Sequence, residues 1–387
     1  MGRMGFINLD HNATTPIRPE VVDAMRRVWQ QPLGNPASQH GLGQAAQKLL
    51  EEARRRVAAA LGADLSAPGG DRLLFTSSAT EANNLALLGI ARARRSAPGQ
   101  VIISSIEHQS VLEPAEHLLE QGWRLETLSV DRRGVVNVDV FERWLSAETA
   151  VVSVTLANHE TGVIQPVEQL AGLCRAAGVP FHTDAVQAAG KVPILFGELG
   201  VSSLAVGAHK FGGPVGIGAL LLRRDVPIRP LMFGGPHQGA IRPGTESVAL
   251  AVGMAEALEL SIREGYAEAA RMRRLRERFE AALLAAIPGA TVNGEAGPRV
   301  PQTSNVTFPA VDGQVMLVAL SINGIACSLG SACSSGAAEV SPTLMSMGLS
   351  LEQASRSLRF SIGHTNTEEE IDAAVERIAA VWNQLKD

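Results

Sequence analysis

The sequence is poor in cysteine, in aromatic residues and in basic charge. Its 387 residues include 3 cysteines, 1 tyrosine and 4% aromatic residues, and the formal net charge is -5. Three irregularly spaced cysteines, Cys174, Cys327 and Cys333, are too few for a disulfide framework or a zinc site. An acidic chain without a basic, aromatic-rich stripe argues against nucleic acid as a partner.

Long apolar runs are also missing. No segment approaches the roughly 18 apolar residues that a membrane-spanning helix needs, and the first residues, MGRMGFINLDHNATTP, show no apolar region of the secretory type. We therefore expect a cytoplasmic protein without a membrane partner. A composition of 45% hydrophobic and 19% charged residues is typical of globular proteins, and the length predicts two domains.

Short apolar runs alternate with helical patterns through the first two thirds of the chain. Several runs, such as 150–156 and 218–222, are apolar throughout, which is typical of strands buried on both faces of a mostly parallel sheet. The order predicts an α/β fold with helices on both faces. A long helical stretch over 246–286 then leads into a small α+β region. We predict a large domain over 15–255 and a small domain formed by 1–14 and 256–387.

An acid and an amine follow two of the predicted strands. Asp184 comes after the strand at 180–183, and Lys210 comes after the next strand and before the segment FGGPVGIG. Ligands of α/β sheets collect at such strand ends. Taken singly, the two residues are better explained as a helix cap and an exposed lysine. Together they meet the needs of pyridoxal phosphate, because the lysine binds the cofactor covalently and the carboxylate keeps its pyridine nitrogen protonated.

A phosphate site is predicted in the segment FTSSATEANN, which reads as a strand, a turn of small residues and a helix starting near Thr80. Backbone N–H groups at a helix N-terminus bind phosphate, so we assign this role to Ala79 and Thr80. His209 and Thr245 are further candidates. His108 follows another strand, at a place where an imidazole can stack on the cofactor and move protons. The ordinary interpretation of His108 is a loop histidine without such a role.

Ten motifs in register cover nearly the whole chain, and this number makes the match specific. On them the sequence resembles the cysteine desulfurases of the class V aminotransferase-like family, which are close also to selenocysteine lyases. The resemblance implies a type I fold of pyridoxal-phosphate-dependent transferases and a homodimer. The motifs are LDHNATTP, GNPASQHG, FTSSATEANN, EHQSV, ANHETGVIQP, FHTDAVQAAGK, HKFGGP, RPGTE, GSACSSG and LRFSIG.

The resemblance assigns roles to matching positions. Thr245 would reach the phosphate from the partner subunit, Gln187 would donate to the phenolic oxygen of the cofactor, and Arg359 would hold the substrate carboxylate through a bidentate pair. Together with the strand-end reasoning, cofactor contacts are predicted for Lys210, Asp184, Gln187, Ala79, Thr80, His209, Thr245, Asn158 and His108. Substrate contacts are predicted for Arg359, Asn158, Ala13 and Thr14. No metal ligand is expected.

Cys333 is the residue predicted to receive sulfur. Its surroundings, SLGSACSSGAAE, are small residues with two glycines, a composition that predicts a surface loop rather than packed core. A thiolate is the reactive form of cysteine, a persulfide is one of its reversible states, and passing the outer sulfur onward is related to disulfide exchange. Taken alone, Cys333 is better explained as a structural thiol. Cys174 and Cys327 are interpreted as buried small hydrophobic residues.

The predicted reaction converts L-cysteine into L-alanine, with Lys210 and His108 moving protons and Cys333 becoming a persulfide. The sulfur would pass to an acceptor protein of iron–sulfur cluster assembly or tRNA thiolation. A selenocysteine lyase, an aminotransferase of the same fold and a silent docking protein remain as alternatives. Two departures from the family pattern leave cofactor and substrate binding open: Gly207 stands where relatives place a phosphate-binding serine, and His159 where a second asparagine is common.

Overall fold

Helices and strands alternate along most of the chain. The computed structural model describes residues 5–66, 69–330 and 340–386. The strands in these ranges are β1 (Ile7–Asn8), β2 (Arg72–Thr76), β3 (Gln100–Ser104), β4 (Arg124–Leu128), β5 (Thr149–Ser153), β6 (Phe181–Asp184), β7 (Ser203–Gly207), β8 (Gly218–Leu222), β9 (Thr291–Val292), β10 (Thr303–Thr307), β11 (Ile325–Ala326) and β12 (Ser357–Ser361).

The helices lie between these strands, and two short 3₁₀ turns accompany them at Ala208–Lys210 and His237–Ala240. No helix in the described ranges combines the length and the apolar composition needed to cross a membrane. The α-helices are α1 (Pro19–Trp29), α2 (Gly41–Ala60), α3 (Ala79–Arg94), α4 (Gln109–Glu120), α5 (Val138–Trp144), α6 (Val167–Ala176), α7 (Phe196–Leu199), α8 (Val248–Ala286), α9 (Gly313–Ile322), α10 (Pro342–Ser346), α11 (Leu351–Ser355) and α12 (Glu368–Leu385).

Seven strands form the large sheet, in the order β2-β8-β7-β6-β5-β3-β4. All neighbours are parallel except β8, which runs antiparallel to both β2 and β7. Strands β5, β7 and β8 are buried at every position, as expected where both faces of a sheet are covered. The predicted mostly parallel α/β sheet is thus confirmed.

Successive residues of one strand pack in two different apolar clusters, one on each face of the sheet. In β3, Ile102 belongs to the cluster that includes α6 and the first half of α8, whereas Val101 and Ile103 belong to the cluster that includes α3 and α4. This is the twofold alternation of a strand. The polar ends of the strands are therefore the places where this sheet can present reactive side chains.

The helix predicted over 246–286 is present as α8 and connects the large sheet to a third apolar cluster. Its geometry is interrupted at Gly265 (φ 23°). Before this point Met254 packs in the core of the large sheet, and after it Phe279 packs in the third cluster. That cluster also covers the antiparallel sheet β12-β10-β9 and the parallel pair β1-β11. The predicted domain limits at 14 and 255 remain a prediction.

Phe279 generates the first test. It is 1% exposed and its ring centroid lies 5.0 Å from that of Phe360. We expect Phe279→Ala to lower the free energy of unfolding by about 3–5 kcal/mol, because it removes buried apolar area and leaves a cavity. Urea unfolding followed by circular dichroism measures this. The matched control is Tyr266→Ala on the same helix, which is 85% exposed; equal losses in both variants would contradict the packing described.

Candidate active site

A cavity of about 230 Å³ gathers most of the predicted site residues. It lies at the carboxyl ends of β6 and β7, because Asp184 ends β6 and Lys210 ends the 3₁₀ turn that follows β7. Arg359 enters from β12 of the small sheet. The predicted residues that line it are Ala13, Ala79, Thr80, His108, Asp184, Gln187, His209, Lys210 and Arg359.

Asp184 is fixed by a chain of buried hydrogen bonds. Asn83 Nδ2 donates to Asp184 Oδ2 (2.7 Å), and the backbone N–H of Val186 donates to Asp184 Oδ1 (2.9 Å). Asn83 Oδ1 in turn lies 3.0 Å from His182 Nε2, and His182 Nδ1 lies 2.9 Å from Ser203 Oγ. Burial lowers the pKa of His182 to about 3, so the ring is neutral and donates through Nε2. The carboxylate is therefore preoriented.

Lys210 reaches across the cavity to the N-terminal segment. Its Nζ donates to the carbonyl oxygens of Asn12 (2.5 Å) and Ala13 (2.8 Å). Gln187 Nε2 donates to the same Asn12 carbonyl (3.0 Å), whereas Gln187 Oε1 is buried and makes no hydrogen bond within the described residues. The amine, the amide and the carboxylate of Asp184 thus share one enclosed space.

His108 caps α4 and packs against a second histidine. The backbone N–H of Ser110 donates to His108 Nδ1 (3.0 Å), which places the proton of the neutral ring on Nε2. His159 meets this ring edge to face, with centroids 5.2 Å apart. Burial lowers the pKa of His108; the nearby Asp184 opposes this shift, and Lys210 and Arg359 add to it. Burial is also the main reason that the pKa of His159 lies well below its usual range, and His108 is the next cause. Two neutral imidazoles therefore adjoin the cavity.

The predicted phosphate loop lies at the start of α3. Ser78 is its N-cap and accepts from the backbone of Glu81, and Ala79 begins the helix, one residue before the predicted start. A Cβ on Gly218 would lie 2.5 Å from the Ser78 carbonyl carbon, and a Cβ on Gly207 would lie 3.3 Å from Ala79 Cβ. The loop therefore passes close over both strands, and it leaves no room for a side chain at 218 and little room for one at 207.

His209 borders the same loop as a neutral imidazole. Burial is the main cause that lowers the pKa of His209 to about 4, and the positive charges of Lys210 and Lys191 add to it. Its Nδ1 lies 3.2 Å from Thr14 Oγ1, so Thr14 contacts a residue of the cavity without lining it. Thr245 is exposed and lies outside the cavity of this single chain.

Arg359 is a fully buried cation at the other end of the cavity. It donates to the carbonyl of His159 (3.1 Å) and to Asp10 Oδ1 (2.8 Å), and its Nε makes no hydrogen bond within the described residues. A guanidinium has five N–H donors, so three remain for an anionic group. Such a fork matches a carboxylate.

Asn158 is not directed into the cavity, although the sequence predicted contacts with cofactor and substrate. Its Nδ2 donates to Ile106 O (3.0 Å), and its Oδ1 accepts from the backbone of Glu160 (3.0 Å) and Thr161 (2.9 Å). The amide is thus used in holding its own turn. The neighbouring His159 lines the cavity instead. Cys333 lies outside the described residues.

Several polar residues of the site were missed by sequence reasoning. They are Asn12, Asn83, His182, His159 and Glu107. All five stand inside recognised motifs, within three positions of residues that were selected. Their contacts join segments about 50 to 300 positions apart, such as Asn12 Nδ2 with Thr303 Oγ1 at 2.8 Å. No local spacing signals such pairs.

The residues present fit pyridoxal phosphate. A lysine amine and an oriented carboxylate share the cavity, and the start of α3 offers backbone donors for phosphate. Gln187, predicted to donate to the phenolic oxygen, lines the same cavity with its Nε2 on the Asn12 carbonyl. Lys210 would hold the cofactor and Asp184 would face its pyridine nitrogen. When bound, the cofactor supplies an electron sink for carbanion chemistry.

Comparison with known proteins agrees with this class of enzyme. The family model "Aminotransferase class-V" matches residues 7–374. An IscS-like cysteine desulfurase of Mycobacterium tuberculosis is 41% identical, covering 95% of this chain and 94% of that protein, and the cysteine desulfurase NifS of Azotobacter vinelandii is 37% identical, covering 99% and 94%. A solved NifS-like structure superposes with a TM-score of 0.90 at 34% identity, covering 98% of this chain and 100% of the other.

The fold and the cavity define a pyridoxal-phosphate enzyme. The chain belongs to the class-V aminotransferase family, and the relatives named here are its cysteine desulfurases. The expected type I fold is confirmed by the superposition.

Glu107 adds a titratable group beside the site. Its Oε1 accepts from Ser104 Oγ and from the backbone N–H of Thr155, and its Oε2 is buried without a hydrogen bond within the described residues. Strand β5, predicted over 150–156, ends at Ser153, two residues before Thr155. Burial, opposed by these donors and reinforced by Asp184, raises the pKa of Glu107 to about 8. The carboxyl is therefore protonated at neutral pH.

The raised pKa of Glu107 generates a pH test. The ordinary pKa of this carboxyl is 4.5, and in the folded protein it is about 8. Between these two pH values the folded protein keeps a proton that the unfolded chain releases, so this contribution to the free energy of unfolding is lost as pH rises. In Glu107→Gln, which imitates the protonated acid, we expect the decline of unfolding free energy from pH 6 to 8.5 to be smaller by up to about 1.4 kcal/mol per pH unit. The control is Glu113→Gln, exposed on α4. A Glu107→Gln profile parallel to wild type would refute the assignment.

Proposed function

We propose that this chain is a cysteine desulfurase, which converts L-cysteine to L-alanine and takes the sulfur onto Cys333 as a persulfide. The observation that carries the proposal is the cavity in which Lys210, Asp184, His108 and Arg359 converge. The names of the relatives support it. A solved structure of SspA in complex with cysteine, 29% identical with a TM-score of 0.80, covers 92% of this chain and 98% of the other.

Each end of the substrate has a matching group in the cavity. The three remaining donors of Arg359, Nε among them, receive the carboxylate of L-cysteine. Lys210 would remove the proton at Cα. The fixed carboxylate of Asp184 would hold a proton on the pyridine nitrogen of the cofactor, which would supply the electron sink. His108 is neutral and carries its proton on Nε2, from which it can donate. It can accept the substrate thiol proton through Nδ1 only if the hydrogen bond from the Ser110 backbone N–H to Nδ1 breaks.

The sulfur transfer is a displacement at the substrate sulfur. The Cys333 thiolate forms an S–S bond while the Cβ–S bond breaks, and the electron pair of that bond stays with the substrate carbon skeleton. Protonation of that carbon yields L-alanine. The balance is L-cysteine plus protein thiol giving L-alanine plus protein persulfide, so no external oxidant or reductant is required. Both Cys174 and Cys327 are buried, and burial raises the pKa of each thiol, which makes them poor substitutes.

The proposal extends to partners. A sulfur-acceptor protein of iron–sulfur cluster assembly or tRNA thiolation would take the outer sulfur, because a persulfide turns over only when it is passed on or reduced. A homodimer is supported by the exposed position of Thr245 and by the apolar side chain of Phe233, which is 90% exposed in the single chain. A cytoplasmic location is proposed from the sparse, irregular cysteines.

The test is alanine and sulfide release from L-cysteine with an added reductant. We expect Cys333→Ala to lower kcat by roughly 10³-fold or more, as loss of a nucleophile does, while cofactor absorbance is unchanged. Cys174→Ala is the matched control and should retain turnover, since that thiol lies in the core.

Four other outcomes separate the alternatives. Undiminished sulfide release by Cys333→Ala would reject the persulfide step. A strong preference for selenocysteine over cysteine would favour a selenocysteine lyase, and a requirement for a keto acid would favour an aminotransferase. Absence of turnover by cofactor-loaded wild type would favour a docking protein.

A further inference from the structure

A second cavity, of about 40 Å³, lies beside Lys210. Lys210 is the one described residue that lines both this cavity and the active site. The N-terminal segment, the loop after β6, α8 and the segment after β12 enclose it, through His11, Arg18, Lys191, Glu268 and His364 among others. It is too small for the cofactor or the substrate, but a space of this size holds a water molecule or a monoatomic ion.

Three buried nitrogen atoms of this lining make no hydrogen bond within the described residues. They are His11 Nε2, Arg18 Nε and Lys191 Nζ. The orientation of two of these side chains is fixed by their other nitrogens: His11 Nδ1 lies 2.7 Å from Thr15 Oγ1, and an Arg18 terminal nitrogen donates to Glu264 at 2.7 Å. Arg18 Nε and Lys191 Nζ are donors, and His11 Nε2 is a donor in the tautomer in which Nδ1 accepts from the Thr15 hydroxyl. Buried donors are ordinarily satisfied, so these nitrogens in one cavity call for a common acceptor.

The acceptors near this cavity are already engaged. Both carboxylate oxygens of Glu268 receive hydrogen bonds from Arg271, at 2.8 and 2.7 Å, and Glu264 is paired with Arg18. Ser261 donates its hydroxyl proton to main-chain carbonyls. Water accepts two hydrogen bonds and needs acceptors for its own two protons, whereas an anion accepts from all three nitrogens and requires none. The arrangement therefore favours an anion over water.

The charges point the same way. Lys191, Arg18 and Lys210 bring three cationic side chains to the lining. Arg18 is paired with Glu264, and the one carboxylate among the described lining residues, Glu268, is held by Arg271, so neither of these acids pairs with Lys191. Buried charges are stable when they are paired. Burial, and then Lys210, lower the pKa of Lys191 to about 7; a bound anion would oppose both effects. The chain has only four lysines, and two of them meet here.

We propose that His11, Arg18 and Lys191 form a binding site for a small monovalent inorganic anion, with chloride as its simplest ligand. The occupant pairs with the Lys191 ammonium group and reduces its repulsion of Lys210. The site is distinct from the phosphate loop and from Arg359, and it does not rest on the proposed reaction.

The experiment is ³⁵Cl NMR of the cofactor-loaded protein, with chloride titrated against gluconate at constant ionic strength. Loading the protein fills the neighbouring phosphate loop before the titration. We expect saturable broadening of the chloride resonance in wild type and its loss in Lys191→Met, which keeps the apolar stem and removes the charge. Lys48→Met, exposed on α2, is the matched control and should broaden the resonance as wild type does.

Two results would overturn the proposal. Absence of saturable broadening in wild type would mean that the cavity holds water only, whatever the variants do. Broadening that persists in Lys191→Met would place the chloride elsewhere, for instance at Arg359. Should Lys191→Met fail to fold, His11→Phe serves instead, because it keeps a ring against Gly363, where the backbone closely approaches His11; retained broadening in that variant would count equally against the site.

Discussion

Burial of the large sheet on both faces is the constraint on which the site depends. A sheet covered by helices on each side has apolar side chains along its strands, and this chain obeys that rule in β5, β7 and β8. Polar chemistry is then confined to the strand ends and the loops beyond them. Asp184, Lys210 and His108 come from three separate segments, yet they meet because parallel strands end at the same edge. The small sheet completes the site by supplying Arg359 from β12.

Enclosure has an electrostatic consequence that unites the histidines of the site. Burial disfavours the imidazolium form, and neighbouring cations disfavour it further. His108, His159 and His209 all respond in this direction. The imidazoles are thereby neutral and remain available to exchange or donate protons. Glu107 behaves in the complementary way, since burial raises its pKa to about 8 and leaves Asp184 as the carboxylate whose oxygens are held by donors.

The sequence predicted those parts of the structure that local pattern determines. The strand at 218–222 and the start of the phosphate helix within one residue both depend on neighbouring positions. The long helix was predicted from its length, but its interruption at Gly265 was not. The contacts predicted for Asn158 stay a prediction. The sequence analysis did not anticipate that an asparagine before Glu160 and Thr161 closes a turn on their backbone N–H groups.

Other features lie beyond any local pattern because they join distant segments. The hydrogen bonds from Ser203 through His182 and Asn83 to Asp184 link three elements. Each residue alone is an unremarkable polar group in an apolar stretch, and a buried polar group without its partner would be costly. Their joint presence is therefore informative only once the strands are paired. The same argument applies to the small cavity beside Lys210. His11, Arg18 and Lys191 are unrelated in sequence, and only the fold brings three buried nitrogens without hydrogen bonds to one enclosed space.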